Sequence, residues 1–480
     1  MTQHADPRTT AASRDRDPAT LTARELVARY RDGTLSPVDV HDAVQAVIDR
    51  REPVLNAFWV RDATASRAQA QASARRWRSG EALGPLDGVP VTLKENLARR
   101  GVPMPAGTAA VDPVVPDDDA PVTARLLEAG AVVLGSTVMP DWGMLSSGVS
   151  SRHGVTRSPW DPAWTTGGSS SGAGAAAAGG YGPVHVGTDI GGSIRLPGTW
   201  LGLATLKPTG GRVPLAAPYL GRVAGPMART VGDLGVLLSV IARPDARDWT
   251  SLPPAGDADR VVRPRPPRGL RVAVHLDAGC GAPVDPQVRA VVERAAAVFA
   301  DGGARVEEIP PFATQDLLDD LDLFWRVRSW NDVRSLPPQR RAAAHPFVAQ
   351  WALGGADLTG VRVLQAYQSI GELAAQTTAA TSGFDLVLSP VAPVAAFPAE
   401  QPMPFTEPGR EMAHIAFTAP YNMSGQPAAT VNAGFTGDGR PVGVQLAGRR
   451  FADADVLDAA AWFEEQRPDD AVPRWPDAAG

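Results

Sequence analysis

The 480-residue chain is poor in the groups on which common catalytic devices depend. It has a single cysteine, Cys280, so no intrachain disulfide can form, and that usage fits a reducing cytoplasm. Cys280 lies in Asp-Ala-Gly-Cys-Gly-Ala-Pro with no histidine beside it, which reads as a small buried residue rather than a nucleophile. The histidines (His4, His41, His153, His185, His275, His345 and His414) are scattered, without an H-x-x-x-H or H-E-x-x-H pair to hold a metal. No G-x-S-x-G elbow presents a serine to a histidine base. No apolar run approaches the roughly 20 residues that span a bilayer. The net charge of −6 argues against nucleic acid or an anionic membrane as partner.

Lysine is scarcer still in proportion. Of 46 Lys and Arg residues, only Lys94 and Lys207 are lysine. Arginine stays protonated in proteins, whereas a buried lysine can lose its proton near neutral pH and serve as a base. Lys94 ends the apolar run Gly-Val-Pro-Val-Thr-Leu-Lys, which would bury it.

Strand and helix signals alternate along the chain, which predicts a layered α/β sheet. Thr22-Ala-Arg-Glu25 is a capping box, and Ser36-Pro37 places an N-cap before a proline at N1. Strands are expected at 88–93, 131–134, 184–187, 203–206, 384–388, 430–431 and 442–446. Helices are expected at 122–127, 173–178, 230–241 and 457–465. Residues 270–309 read as a βαβ unit. Residues 1–18 are expected to be a disordered tail, 19–470 a single domain and 471–480 a C-terminal tail. Within the domain, 242–269 is expected as a surface connection and 313–380 as a variable helical region on the substrate side.

Two segments carry hydroxyls on glycine-rich backbone. In Asp189-Ile-Gly-Gly-Ser-Ile-Arg, successive glycines let backbone N–H groups converge, so Ile190, Gly191, Gly192 and Ser193 are a candidate oxyanion hole, with Ser193 as the attacking hydroxyl. In Gly167-Gly-Ser-Ser-Ser-Gly, one serine could pass protons between Ser193 and Lys94. Taken singly, these segments also fit a tight turn and a linker. The run 172–177 imitates a G-x-G-x-x-A dinucleotide fingerprint, but no strand precedes it, and no Gly-Lys-Ser/Thr follows to make a P-loop.

Together, Gly-Gly-Ser-Ser-Ser-Gly (167–172), Gly-Thr-Asp-Ile-Gly-Gly-Ser-Ile-Arg-Leu-Pro (187–197) and Leu-Lys-Pro-Thr-Gly-Gly-Arg-Val (206–213) resemble the amidase signature family. Leu-Asp-Gly-Val-Pro-Val-Thr-Leu-Lys-Glu-Asn (86–96) and Tyr-Asn-Met-Ser-Gly-Gln-Pro-Ala (421–428) extend the likeness over most of the chain. The resemblance implies a large mixed β-sheet covered by helices on both faces, and hydrolysis of amide-type bonds without cofactor or metal. It implies Ser193 as nucleophile, Ser169 as bridging serine after a cis peptide, Lys94 as base, and Ser170 and Arg195 as supporting groups. Lys207 falls in a structural element. The partner expected is a small-molecule amide or carbamate, and the expected form is a cytoplasmic monomer or homodimer. A urethane or nylon-oligomer hydrolase with esterase side activity is the alternative within the class, and the amidase subunit of an amidotransferase complex is the alternative from another class.

The chain departs from the family pattern at Ser171, at Glu95 and in Val-Met-Pro-Asp-Trp (138–142), which borders the acyl site. An apolar or aromatic pocket is expected from Trp142, Met144 and Leu145, and from Phe324, Trp325 and Trp330 in the helical region.

Overall fold

The computed structural model describes residues 16–255 and 261–476. Eleven strands among them form one mixed sheet: β1 Phe58–Arg61, β2 Pro90–Lys94, β3 Val132–Thr137, β4 Val184–Asp189, β5 Ala204–Lys207, β6 Val223–Ala228, β7 Arg271–Val274, β8 Arg305–Glu308, β9 Leu386–Pro390, β10 Ala428–Phe435 and β11 Pro441–Gly448. Their order across the sheet is β1-β3-β2-β4-β6-β5-β10-β11-β9-β7-β8. β3, β2 and β4 run parallel, as do β9, β7 and β8; the pairings between these two groups are antiparallel. The parallel β2 is buried at every position, as expected of a strand covered on both faces.

Helices cover the sheet, and three large apolar clusters fill most of the space. One joins β1–β4 to helices Ala23–Arg31 and Pro37–Leu55. A second joins the other half of the sheet to helices Pro286–Asp301 and Asp453–Gln466. The third lies in the helical region, where Gln315–Arg334 and Gly360–Thr381 pack together. Both expected N-caps form as capping boxes, Thr22 with Glu25 and Ser36 with Asp39.

Helix Ser171–Gly179 is buried throughout, which its Gly/Ala sequence permits because small residues let a helix approach the strands closely. The run resembling a dinucleotide fingerprint lies within this helix. Between Ile241 and Arg271 the described residues form neither helix nor strand.

Parts of both spans expected as tails are described. Asp17 caps a 3₁₀ turn, Pro18–Thr20. At the other end, Trp475 packs 5.6 Å from Trp160 with the Arg229 guanidinium 4.7 Å over its ring. Residues 1–15 and 477–480 lie outside the described residues. No described helix is long and apolar enough to cross a membrane.

Candidate active site

The parallel strands β3, β2 and β4 deliver their C-terminal ends to one edge of the sheet, where α/β folds open a crevice. β2 ends at Lys94, β4 ends at Asp189 just before the Gly-Gly-Ser turn, and β3 leads into the segment carrying Trp142. A cleft of about 690 Å³, counted to its open mouth, lies at this edge and is lined by Ser169 and Ser193.

Lys94 is fully buried, with Nζ 2.8 Å from Ser169 Oγ and 3.2 Å from Ser170 Oγ. Ser170 Oγ donates its one proton to the Thr188 carbonyl at 3.1 Å, so toward Lys94 it can only accept. Lys94 gives N–H groups to both hydroxyls, and in its neutral form its lone pair can instead accept from the Ser169 hydroxyl. Gly187 makes the approach possible: a Cβ there would stand 2.7 Å from Ser170 Oγ. Burial, and then the positive charge of Arg222, pull the Lys94 amine down to about 7. At pH 7 an ordinary lysine is neutral in about 1 part in 3,000. An amine titrating at about 7 is neutral roughly half the time, which a general base requires.

Ser169 follows a cis Gly168–Ser169 peptide and is 4 % exposed, whereas Ser193 is half-buried and faces the cleft. The Ser170 amide donates to the Ser193 carbonyl at 3.1 Å and ties the two segments together. No direct Ser169–Ser193 hydrogen bond is present among the described residues. Both serines line the cleft.

Asp189 shapes the turn. Its carboxylate accepts the Gly192 amide at 2.8 Å and the Ile194 amide at 3.1 Å, and receives Arg195 through Nε and a terminal nitrogen at 3.0 Å each. Both side chains are fully buried. Burial alone would raise the Asp189 carboxyl, but Arg195 outweighs it and holds the group well below the usual carboxylate range. Arg195 is anchored in turn by Gln445 at 2.7 Å and the Thr418 carbonyl at 3.0 Å. Gly192 sits at φ +128°, a backbone state that requires glycine.

Of the four amides expected to form the hole, that of Gly192 donates to Asp189 in this structure. The amides of Ile190, Gly191 and Ser193 make no hydrogen bond among the described residues and remain as donors for an anion. Asp189 organises this turn, a role that a carboxylate beside two glycines and an arginine makes readable in the sequence.

The structure places the residues expected at the pocket in different surroundings. Trp142 and Met144 line the cleft, joined by Met139. Trp142 stands at φ +46°, its amide donating to the Ala106 carbonyl at 2.7 Å. Leu145 is 1 % exposed and belongs to the core. Phe324 packs against Tyr367, and Trp330 lies under Arg341. Trp325 is 5 % exposed and packs so closely on the Gly191 backbone that a Cβ there would meet its ring at 2.8 Å. It therefore supports the turn rather than lining the cleft. Helix Gln315–Arg334 instead presents Arg328 and Asp332 to the cleft, and Arg222 joins them from the start of β6. These charged groups escaped sequence reading because arginine is abundant throughout the chain.

Behind Lys94, the departure at Glu95 forms a buried pair with His153, 2.9 Å apart. Cys280 lies away from this cleft, and burial pushes its thiol up to about 11, far from thiolate reactivity.

The family model for Amidase matches residues 39–457. An acylamidase of Rhodococcus erythropolis is 34% identical over 474 residues, covering 93% of this chain and 96% of the relative. A glutamyl-tRNA(Gln) amidotransferase subunit of Chloroflexus aurantiacus is 32% identical over 468 residues, covering 91% and 94%. Among solved structures, a bacterial aryl acylamidase of the amidase signature enzymes superposes with a TM-score of 0.85 at 28% identity, covering 93% and 96% of the two chains. A 6-aminohexanoate cyclic dimer hydrolase superposes with a TM-score of 0.86 at 26% identity, covering 97% and 100%.

Proposed function

The chain belongs to the amidase family of amide-hydrolysing enzymes, and we propose that it cleaves amide, anilide or carbamate C–N bonds through an acyl-enzyme on Ser193. The observation that carries this reading is the fully buried Lys94 amine, brought to about 7 and lying 2.8 Å from Ser169 Oγ. In this mechanism neutral Lys94 takes the Ser169 proton while Ser169 takes that of Ser193. Ser193 Oγ bonds to the carbonyl carbon, and the oxyanion accepts the N–H groups of Ile190, Gly191 and Ser193. One such donor is worth about 3–4 kcal/mol. The C–N bond then breaks, and the proton returns along the relay to the departing amine. Water attacks the acyl-enzyme with the same relay as base, releasing the acid and restoring Ser193.

An aryl or extended apolar group on the substrate is favoured by Trp142, Met139 and Met144 on the cleft wall, and by the likeness to an acylamidase and an aryl acylamidase. Burying such a group contributes roughly 25 cal/mol per Å². The likeness to one component of an amidotransferase supports a second reading, in which the chain acts only within a complex. A kinetic panel on the purified chain separates these readings. For anilides and aryl carbamates, kcat/KM should exceed that for acetamide at least about tenfold, which needs ~1.4 kcal/mol of differential transition-state binding. Equal or reversed preference would sink the aryl assignment. Turnover appearing only when the other components are added would establish the second reading.

A further inference from the structure

Two arginines meet at the cleft that holds Ser193. Arg222 comes from the turn before β6 and Arg328 from the middle of helix Gln315–Arg334. The two elements touch: the Arg328 guanidinium lies 4.3 Å over the Tyr219 ring, and the Arg222 amide donates to the Tyr219 carbonyl at 2.9 Å. Neither arginine has a carboxylate within 4.0 Å among the described residues; Arg222 reaches only the Ala217 carbonyl, at 3.3 Å.

The contrast with Arg326, two positions earlier on the same helix, is sharp. It is paired with Asp322 at 2.7 Å and Glu411 at 3.0 Å. Asp332, the carboxylate nearest along the helix, is exposed at the mouth and feels the charge of Arg328 without forming an ion pair with either guanidinium within 4.0 Å. Asp189 also borders the cleft but is taken by Arg195. Burial and the like charge of Arg328 both disfavour the protonated form of Arg222. Two like charges held together in a concave, partly buried site are a receptor for an anion.

We propose that the physiological substrate carries a carboxylate and that Arg222 and Arg328 hold it while Trp142 and the methionines cover the segment leading to the scissile bond. The inference rests on the hydrolase reading for the position of the reacting carbonyl, but the anion site stands on its own geometry. It has a consequence for the base. Arg222 lowers the Lys94 pKa, so a bound carboxylate screens that charge and raises Lys94 in the complex.

The test uses matched substrates in two arms. On the acyl side, succinyl 4-nitroanilide is compared with butyryl 4-nitroanilide. On the amine side, N-acetyl-4-aminobenzoate is compared with N-acetyl-4-toluidine. In one arm the carboxylate should exceed its neutral twin in kcat/KM by about tenfold or more, as expected of charge-assisted bonds, and the ratio should collapse toward one in Arg328→Gln and Arg222→Gln. The acid limb of kcat should also lie at higher pH for the carboxylate than for its twin. A ratio at or below one in both arms, or a ratio that survives both substitutions, would overturn the proposal.

Calorimetric titration of the same carboxylates into Ser193→Ala, and into that variant carrying Arg328→Gln, reads the anion site without turnover. Binding about tenfold weaker in the double variant supports the site, and equal affinity refutes it. If wild type hydrolyses none of the four compounds, the hydrolase reading fails while the titration still decides the anion site.

Discussion

Lys94 and Lys207 close two strands of the same sheet, are fully buried, and have amines drawn down to about 7 by burial and by a neighbouring arginine. Their hydrogen-bond partners set them apart. Lys94 faces the hydroxyls of Ser169 and Ser170, one of which opens on the cleft. Lys207 donates to the carbonyl of its neighbour Pro208 at 2.9 Å, with the charges of Asp189 and Asp453 favouring its protonated form. A carbonyl has no proton to give, so Lys207 has nothing to deprotonate. On the proposed reading, lowered basicity alone does not make a catalytic lysine; a proton route to a reacting atom does.

The widest separation is expected in turnover. Lys94→Ala and Lys94→Arg should each lose at least about 10³ in kcat/KM, because arginine keeps the charge but cannot accept a proton. Lys207→Met should stay within about fivefold of wild type. Rescue by Lys94→Arg, or an equal loss at Lys207, would erase the distinction.

The pH behaviour sharpens it. The proposed base role needs neutral Lys94, so kcat/KM should rise through about pH 7 and level off above. For stability the two lysines act alike. Their native values lie below the unfolded value near 10.4, so the unfolded chain binds more protons between about pH 7 and 10.4 and stability rises with pH across that window. The destabilisation from burying each amine is complete below about 7. Calorimetry should therefore show Lys207→Met gaining more in Tm at pH 7 than at pH 10; the opposite order would contradict the assignment.

The smallest effect concerns Arg222, whose charge helps depress Lys94. Arg222→Gln should move the acid limb with a neutral anilide upward by less than about one pH unit. A downward shift would mean that Arg222 does not face the base.

Much of this site was legible because scarcity and local pattern agreed. The apolar run to Lys94 became β2, and the Gly/Ala run became helix Ser171–Gly179. Elsewhere tertiary packing overrode local signals. Strand β6 contains Gly225 and Pro226, and helix Arg195–Leu201 contains Pro197 and Gly198, all residues that normally interrupt such elements. That helix is held by the buried Arg195–Asp189 pair, which joins it to the end of β4. Strand β1 is only partly buried along its length and shows no inward–outward alternation to read. In the helical region, aromatic composition pointed to the pocket, but helical phase decides. Trp325, Arg328 and Asp332 share a face, with the tryptophan against Gly191 and the charges at the cleft.

The most direct test of the central claim is covalent trapping. An activated aryl carbamate is mixed with wild type, Lys94→Arg and Lys207→Met, and the acylated residue and its rate of formation are read by peptide mass spectrometry. The predicted result is a carbamoyl group on Ser193, formed at comparable rates in wild type and Lys207→Met and at least about 100-fold more slowly in Lys94→Arg. A label on Ser169, or a rate indifferent to Lys94, would contradict the account.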